Sequence, residues 1–245
     1  MTKQTLLFDL DDTLIHCNKY FQGVIDHFAE QLALWFAEYR LGIDEIKQKQ
    51  LDIDISGVTR FGFTLEHFPQ SLVDTYLHFA AVYGRPVSER ETAWLKELGW
   101  SVYDQDAEPY PYMAETLEEL RTDGHQLCLY TGGVPAVQQK KVKKAGLEAF
   151  FENRMFVRRH KNTEALDEIL KSGPFDRKRT WMIGNSIRTD VLPALENGIH
   201  SIYLPSPNDW EFNLVEVNAE PQGAFLTLSS LKEIRYAIRE YTSSG

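Results

Sequence analysis

The amino-acid sequence predicts an α/β protein, in which a doubly wound parallel sheet carries an inserted α-helical domain. Short apolar runs alternate with helical segments of about 10–15 residues in the second half of the chain, an order typical of a parallel sheet with helices on both faces. One further apolar run, Thr5–Leu10, stands near the start of the chain. A long helical block separates this run from the others, which indicates an insertion directly after the first strand.

The helical block is predicted from the spacing of its apolar residues. Between Phe21 and Phe36, and again around Tyr76, apolar side chains recur every three or four residues, as in amphipathic helices. The glycine-containing stretch Ile55–Phe63 predicts a loop or break between two of these helices. We therefore expect a helical domain over residues 16–107.

The sheet domain, Rossmann-like in its alternation of strands and helices, is expected over residues 1–15 and 108–245. Its later elements are, in chain order, a helix around Leu117 that ends at Gly124, a strand at Gln126–Tyr130, a helix at Val137–Lys144, a strand at Met155–Val157, a helix at Thr163–Leu170, a strand at Thr180–Ile183, a helix at Asp190–Glu196, strands at Ser201–Leu204 and Ala224–Leu228, and a last helix opened by a capping box at Ser230. The segment 205–223, rich in Pro, Asn and Glu, predicts irregular surface chain.

The composition indicates which kinds of molecule the protein can bind. The formal net charge of −10 argues against a nucleic-acid surface, but it allows a small phosphorylated metabolite in a locally positive pocket. No stretch approaches the roughly 20 apolar residues of a membrane span, and no secretory leader is recognisable. Cys17 and Cys128 are expected to be free thiols. These features favour a cytoplasmic protein without membrane partners, and they do not indicate an oligomeric state.

Three carboxylates, Asp9, Asp11 and Asp12, follow the first predicted strand. Carboxylates crowded at the end of a buried strand repel one another and lose hydration, and a divalent cation relieves both costs. In an extended chain Asp9 and Asp11 lie on the same face. One carboxylate could then attack the substrate or bind metal while the other donates or accepts a proton. The alternative is a polar turn in which Asp11 or Asp12 caps the segment that follows.

Polar residues also follow three later strands, namely Thr131-Gly132-Gly133, Arg158–Lys161 and Gly184–Asp190. In an open parallel sheet, ligands bind at the carboxyl ends of the strands. Carboxylates, a hydroxyl beside glycine amides and a lysine at one edge would form a site for Mg²⁺ and a phosphoryl group.

The polar residues that follow these four predicted strands match, in the same order, the four sequence motifs of the haloacid dehalogenase superfamily. The chain therefore resembles this superfamily over most of residues 4–204. The first motif, Asp9-x-Asp11-x-Thr13-Leu14, and the fourth, Gly184 to Asp190, are specific together, whereas the second and third are weak patterns. The resemblance implies a capped hydrolase, with the helical block as a cap domain inserted after the first strand.

The resemblance also implies roles for individual residues. Asp9 would be the nucleophile that forms an aspartyl-phosphate, and Asp11 the general acid and then the base. Thr131, Gly132 and Lys161 would bind the substrate phosphate. A plain turn remains open for Thr131, and a solvated basic run containing Arg158 and Arg159 remains open for Lys161, although a helix start at Thr163 favours the lysine.

The implied Mg²⁺ ligands are Asp9, Asp11 through its backbone carbonyl, Asp190 and Asn185. Position 185 is Asn where many relatives have Asp, which removes one negative charge, but the amide oxygen can still ligate directly or through water. Ser186 would orient the lysine or the Asn. Asp12 is expected to be structural, because its side chain alternates away from the site.

Asp11 also bears on the reaction type. Release of halide needs no acid, and members with that activity lack an Asp at this position, so Asp11 favours hydrolysis of a phosphate monoester. A sugar phosphomutase, a haloacid dehalogenase and a non-catalytic binding module remain alternatives. In the expected cap, Arg60 could reach a carboxylate or second phosphate of the substrate, or it could simply be a solvated side chain. His16, Cys17 and Asn18 could line the pocket.

Overall fold

The computed structural model of the chain describes residues 2–243. Its strands and helices are, in chain order, β1 (Thr5–Phe8), α1 (Asn18–Trp35), α2 (Ile43–Phe61), α3 (His67–Tyr83), α4 (Glu89–Trp100), α5 (Met113–Thr122), β2 (Gln126–Gly132), α6 (Pro135–Lys144), α7 (Glu148–Phe151), β3 (Met155–Arg158), α8 (Thr163–Ser172), β4 (Thr180–Gly184), α9 (Leu192–Glu196), β5 (His200–Tyr203), β6 (Phe225–Thr227) and α10 (Ile234–Ser243). The predicted α/β class is confirmed.

The six strands form one parallel sheet in the order β3-β2-β1-β4-β5-β6. The chain moves outward from β1 to β2 and β3, and then returns to the other side of β1 with β4. This reversal creates a crevice at the carboxyl ends of β1 and β4, which is where ligands bind in doubly wound folds. The sheet therefore has the Rossmann-like arrangement.

The central strand β1 is buried on both faces. Leu6 and Phe8 pack into one hydrophobic cluster, which also contains Leu117 of α5, whereas Leu7 packs into a second cluster with Leu166 of α8. Burial on both faces explains why the strands are continuous apolar runs in the sequence and do not alternate with polar residues.

The described chain divides into two compact units, one formed by residues 2–18 and 107–243, and the other by Lys19–Asp106. The second unit is helical and has its own core, in which Phe28, Leu32 and Tyr76 are fully buried. No helix among residues 2–243 is long and apolar enough to cross a membrane.

The predicted break at Ile55–Phe63 is wrong for most of its length. Helix α2 continues through it to Phe61 and is capped by Gly62, whose φ of 72° favours glycine. Gly57 lies inside the helix, where the His67 ring packs so closely that a Cβ would lie 1.8 Å from its Cε1 atom. This glycine therefore serves packing between α2 and α3.

Two smaller expectations also differ from the structure. A π-helical turn, Ile187–Val191, precedes α9, so the predicted helix at Asp190–Glu196 begins irregularly. The capping box at Ser230 is not formed: its hydroxyl accepts from the Lys232 amide, and Glu233 accepts from the Ser229 hydroxyl. A short 3₁₀ turn before α10 moves these donors out of the expected register.

Candidate active site

Asp9 lies directly beyond β1, and its amide donates to the Ile183 carbonyl of β4 at 2.9 Å. Its side chain is buried, with one carboxylate oxygen accepting from Lys161 Nζ at 2.6 Å and the other from the Thr13 hydroxyl at 3.0 Å. Burial raises the pKa of Asp9 to about 7; Lys161 opposes this shift, and Asp190 adds to it. The carboxylate is thus held by two donors in a site that disfavours its charge.

The turn after Asp9 is organised by Asp12. Its φ of 59° places this residue in the left-handed region. Its carboxylate accepts from the amides of Cys17 at 3.1 Å and Asn18 at 2.8 Å, where α1 begins. Burial raises the pKa of Asp12 to about 6, although these amide bonds oppose the shift. These contacts serve the turn and helix start.

Lys161 is buried between the carboxylates of Asp9 and Asp190 and forms an ion pair with each. Burial alone would lower the pKa of this lysine, but Asp190 and Asp9 raise it well above its usual value. Its neighbours differ: Arg158 donates to the Val157 carbonyl at 3.1 Å, and Arg159 is exposed.

Asp190 is fixed by the turn that carries it. One carboxylate oxygen accepts from the Ser186 amide at 2.9 Å, while the Ser186 hydroxyl accepts from the Thr189 amide at 3.1 Å. A Cβ on Gly184 would lie 2.1 Å from this carboxylate, so the strand must end in glycine to admit it. Ser186 therefore holds the turn, whereas the sequence analysis expected it to orient the lysine or the Asn.

Asn185 is buried beside the first strand end. Its backbone amide donates to the Thr13 hydroxyl oxygen at 3.1 Å, and its Oδ1 lies 3.4 Å from the same atom. Its Nδ2 donates to Asp209 Oδ1 at 2.9 Å. Asp209, in the segment expected to be irregular surface chain, was missed from the sequence. It follows the end of β5 at the same edge of the sheet, which is the signal that could have found it.

Helix α6 supplies two further residues that the sequence analysis missed. Lys141 Nζ donates to one carboxylate oxygen of Asp11 at 2.7 Å, and Gln138 Nε2 donates to the other at 2.8 Å. Burial alone would raise the pKa of Asp11, but Lys141 and then Gln138 hold it below its usual value. Gln138 also donates to the Thr131 hydroxyl at 2.7 Å, which links the second strand end to Asp11.

The remaining predicted residues differ in how they relate to this cluster of contacts. Gly132 ends β2 opposite Arg158 of β3. His16 stacks on Tyr110 with ring centroids 3.9 Å apart, and Cys17 Sγ lies 3.7 Å from Lys141 Nζ. Arg60 is an exposed residue of the last turn of α2, in the second unit, so its expected role stays a prediction.

The donor set fits Mg²⁺. Among residues 2–243 no three His, Cys, Asp or Glu side chains converge as a metal cluster. However, Mg²⁺ keeps several waters and usually takes only one or two protein carboxylates besides substrate phosphate. Asp9 and Asp190 supply two carboxylates, and the Asn185 amide oxygen lies on the same side. The close fit of the Asp190 carboxylate against Gly184 keeps it at the strand end.

Comparison with known proteins identifies the family. A family model described as haloacid dehalogenase-like hydrolase matches residues 3–198. The chain belongs to the haloacid dehalogenase-like hydrolases. The resemblance drawn from the four strand ends is thereby confirmed, and the protein is a hydrolase.

Two curated relatives are named as a phosphatase and a nucleotidase. Glyceraldehyde 3-phosphate phosphatase of Methanothermobacter thermautotrophicus is 27% identical over 131 residues, which cover 51% of this chain and 58% of that protein. The match therefore spans little more than half of that relative. Pyrimidine 5'-nucleotidase PynA of Streptococcus pneumoniae is 24% identical over 206 residues, or 81% of this chain and 82% of that protein.

Solved structures of the family share the fold. A haloacid dehalogenase-like family hydrolase from Xanthomonas campestris superposes with a TM-score of 0.78 at 22% identity, covering 99% of this chain and 97% of that one. The putative hydrolase YfnB from Bacillus subtilis, whose structure is described as bound to magnesium, gives a TM-score of 0.61 at 20% identity, covering 98% and 100%.

Proposed function

We propose that this protein is a Mg²⁺-dependent phosphatase that hydrolyses a small phosphate monoester through an aspartyl-phosphate on Asp9. The observation that carries the proposal is the buried Asp9 carboxylate at the sheet's switch point, held by Lys161 and Thr13. The phosphatase and nucleotidase names of the two curated relatives support the substrate class.

The proposed reaction has two steps. A carboxylate oxygen of Asp9 attacks phosphorus, the ester P–O bond breaks, and the leaving oxygen takes a proton from Asp11. Asp11 then accepts a proton from water, which attacks phosphorus and breaks the P–O bond to Asp9. Throughout, Lys161, the Thr131 hydroxyl and the Gly132 amide bind the non-bridging oxygens.

Asp11 must carry a proton in the first step, whereas Lys141 favours its ionised form in the free protein. A phosphate dianion that binds beside Asp11 raises the pKa of Asp11 by charge repulsion. Substrate binding itself therefore promotes protonation of Asp11. In the second step the contact with Lys141 favours return to the carboxylate. Gln138 donates hydrogen bonds to both Asp11 and Thr131 and so keeps the two side chains in position during both steps.

Asp9, Asp190, Asn185 and the backbone carbonyl of Asp11 would hold the Mg²⁺. When bound, this ion would offset the negative charges of the carboxylates and the phosphate. Lys161, which follows β3 at the same edge of the sheet, contributes a further positive charge.

We also propose that the helical unit acts as a cap and that Arg60 contributes to substrate selection. Arg60 lines an open cavity of about 580 Å³ within this unit, together with Ser56, His67 and three acidic residues. An Arg60→Ala variant should raise KM for the physiological phosphate ester and leave kcat with a small artificial ester unchanged.

Phosphate release from p-nitrophenyl phosphate tests the proposal. We expect Mg²⁺-dependent release by the wild type, its loss in chelator, and its loss in Asp9→Asn. Asp176→Asn, a change at an exposed carboxylate that caps a turn before β4, is the matched control and should retain full activity. Absence of phosphate release from a broad panel of phosphate esters would overturn the proposal.

A further inference from the structure

We propose that Asp209 is a positioning residue of this site, which fixes the Asn185 side-chain amide with its oxygen on the side of Asp9. A neutral asparagine can then act as a ligand of the metal ion. This inference rests on the proposed function and deepens it, since it names a residue that builds the metal site without belonging to the four motifs.

The orientation of the amide follows from its partners. The side-chain amide of Asn185 lies next to Asp209, with its Nδ2 atom 2.9 Å from Asp209 Oδ1. Burial raises the pKa of Asp209, and the hydrogen bond from Asn185 opposes this shift. In its ionised form the carboxylate only accepts hydrogen bonds, so the amide nitrogen faces Asp209 and the amide oxygen points away. That oxygen lies 3.4 Å from the Thr13 hydroxyl, whose shorter contact, 3.0 Å, is to Asp9. The Asn185 oxygen therefore keeps lone pairs for a ligand beside Asp9.

Asp209 is itself held in place. Its second carboxylate oxygen accepts from the Ser206 amide at 3.3 Å and lies 3.5 Å from the Tyr203 hydroxyl. Only the first oxygen faces Asn185. Because each oxygen has its own partners, the carboxylate cannot rotate without losing contacts on both sides.

The loop that carries Asp209 is fastened to the fourth motif at two further points. Before Asp209, the Leu204 amide donates to the Gly184 carbonyl at 2.9 Å. After it, Arg188 Nε donates to the Phe212 carbonyl at 2.6 Å, and the guanidinium lies 4.6 Å from the centre of the Phe212 ring. The loop is thus set by the same turn that carries Asp190, so Asp209 has a defined place relative to the metal ligands.

The test measures Mg²⁺ affinity by calorimetric titration of the metal-free protein, which needs no substrate. We expect Asp209→Ala to weaken binding on the order of 10-fold, as loss of a residue that orients a ligand does. Asp209→Asn should retain most of the affinity, since its amide oxygen can still accept from Asn185. In an Asn185→Ala background, Asp209→Ala should cause no further loss, because Asp209 acts through Asn185 alone.

The outcomes separate this inference from the proposed function. If the wild type binds Mg²⁺ and Asp209→Ala binds it equally well, the inference is overturned and the proposed function stands. An equal loss in the Asn185→Ala background would make Asp209 a direct ligand and overturn the positioning role. If the wild type binds no Mg²⁺, both fail together. Urea unfolding without metal confirms that each variant is folded.

Discussion

At the scale of single residues, the ammonium of Lys161 balances the charge of two buried carboxylates. It lies between the buried carboxylates of Asp9 and Asp190, and its side chain is 2% exposed. Two carboxylates in so little water repel each other, and the lysine offsets much of this repulsion in the free protein. In the proposed reaction the same ammonium would also contact the non-bridging oxygens of the phosphate.

We expect Lys161→Met to lower the free energy of unfolding by about 3–5 kcal/mol in chelator, since breaking a buried ion pair leaves uncompensated charge. Urea unfolding at neutral pH measures the loss. Lys171→Met is the matched control, because Lys171 pairs with Asp167 on α8 at 71% side-chain exposure and should cost at most about 1 kcal/mol. Equal losses in the two variants would contradict the role given to Lys161.

At the scale of secondary-structure elements, the helical unit depends on glycines that let helices approach closely. A Cβ on Gly99 of α4 would lie 2.5 Å from the Cα atom of Pro69 in α3, a backbone atom that cannot move alone. Gly23 of α1, by contrast, has no atom within 4 Å of the position of a Cβ. These two helical glycines share a backbone conformation and differ in their surroundings.

Gly99→Ala should therefore destabilise the protein by about 1–3 kcal/mol, the usual cost of overpacking. Gly23→Ala should stabilise it by about 0.5–1 kcal/mol, because alanine loses less backbone freedom on folding. Thermal or urea unfolding of both variants measures the difference. A stabilised Gly99→Ala variant would show that α3 and α4 do not pack as described.

The elements also show how far the sequence could predict the site. Asp9, Lys161 and Asp190 could be found because each directly follows or closely follows an apolar strand, and parallel strands bring such ends together. Gln138 and Lys141 could not, since they lie on a lysine-rich helix whose charges have the pattern of a solvated face.

Gly57 was misjudged for a related reason. A glycine that admits the His67 ring and one that breaks a helix are indistinguishable without the partner helix. For Asp209 the sequence holds one signal, its place after a predicted strand, but its loop has no regular periodicity to show that it contacts the fourth motif. Contacts made between distant segments left no local pattern in these parts of the sequence.

At the scale of the whole molecule, a formal charge of −10 includes several carboxylates that folding buries. The folded protein takes up a proton on Asp9 more readily than the unfolded chain, because its pKa is raised from 3.8 to about 7. Stability from this group is complete below pH 3.8 and is lost as the pH rises through about 7. Metal binding at the proposed site would reverse this preference, since a cation favours the ionised carboxylate.

We therefore expect the free energy of unfolding in chelator to fall between about pH 4 and 7, by at most about 4 kcal/mol from Asp9, since one pKa unit corresponds to about 1.4 kcal/mol. Saturating Mg²⁺ should remove this part of the fall, and so should Asp9→Asn, which has no proton to lose. Asp12, whose pKa is raised to about 6, contributes a similar slope to all three samples, so the differences between them isolate Asp9. Urea unfolding across this pH range measures the three profiles. Superimposable profiles with chelator and with Mg²⁺ would place the metal away from Asp9.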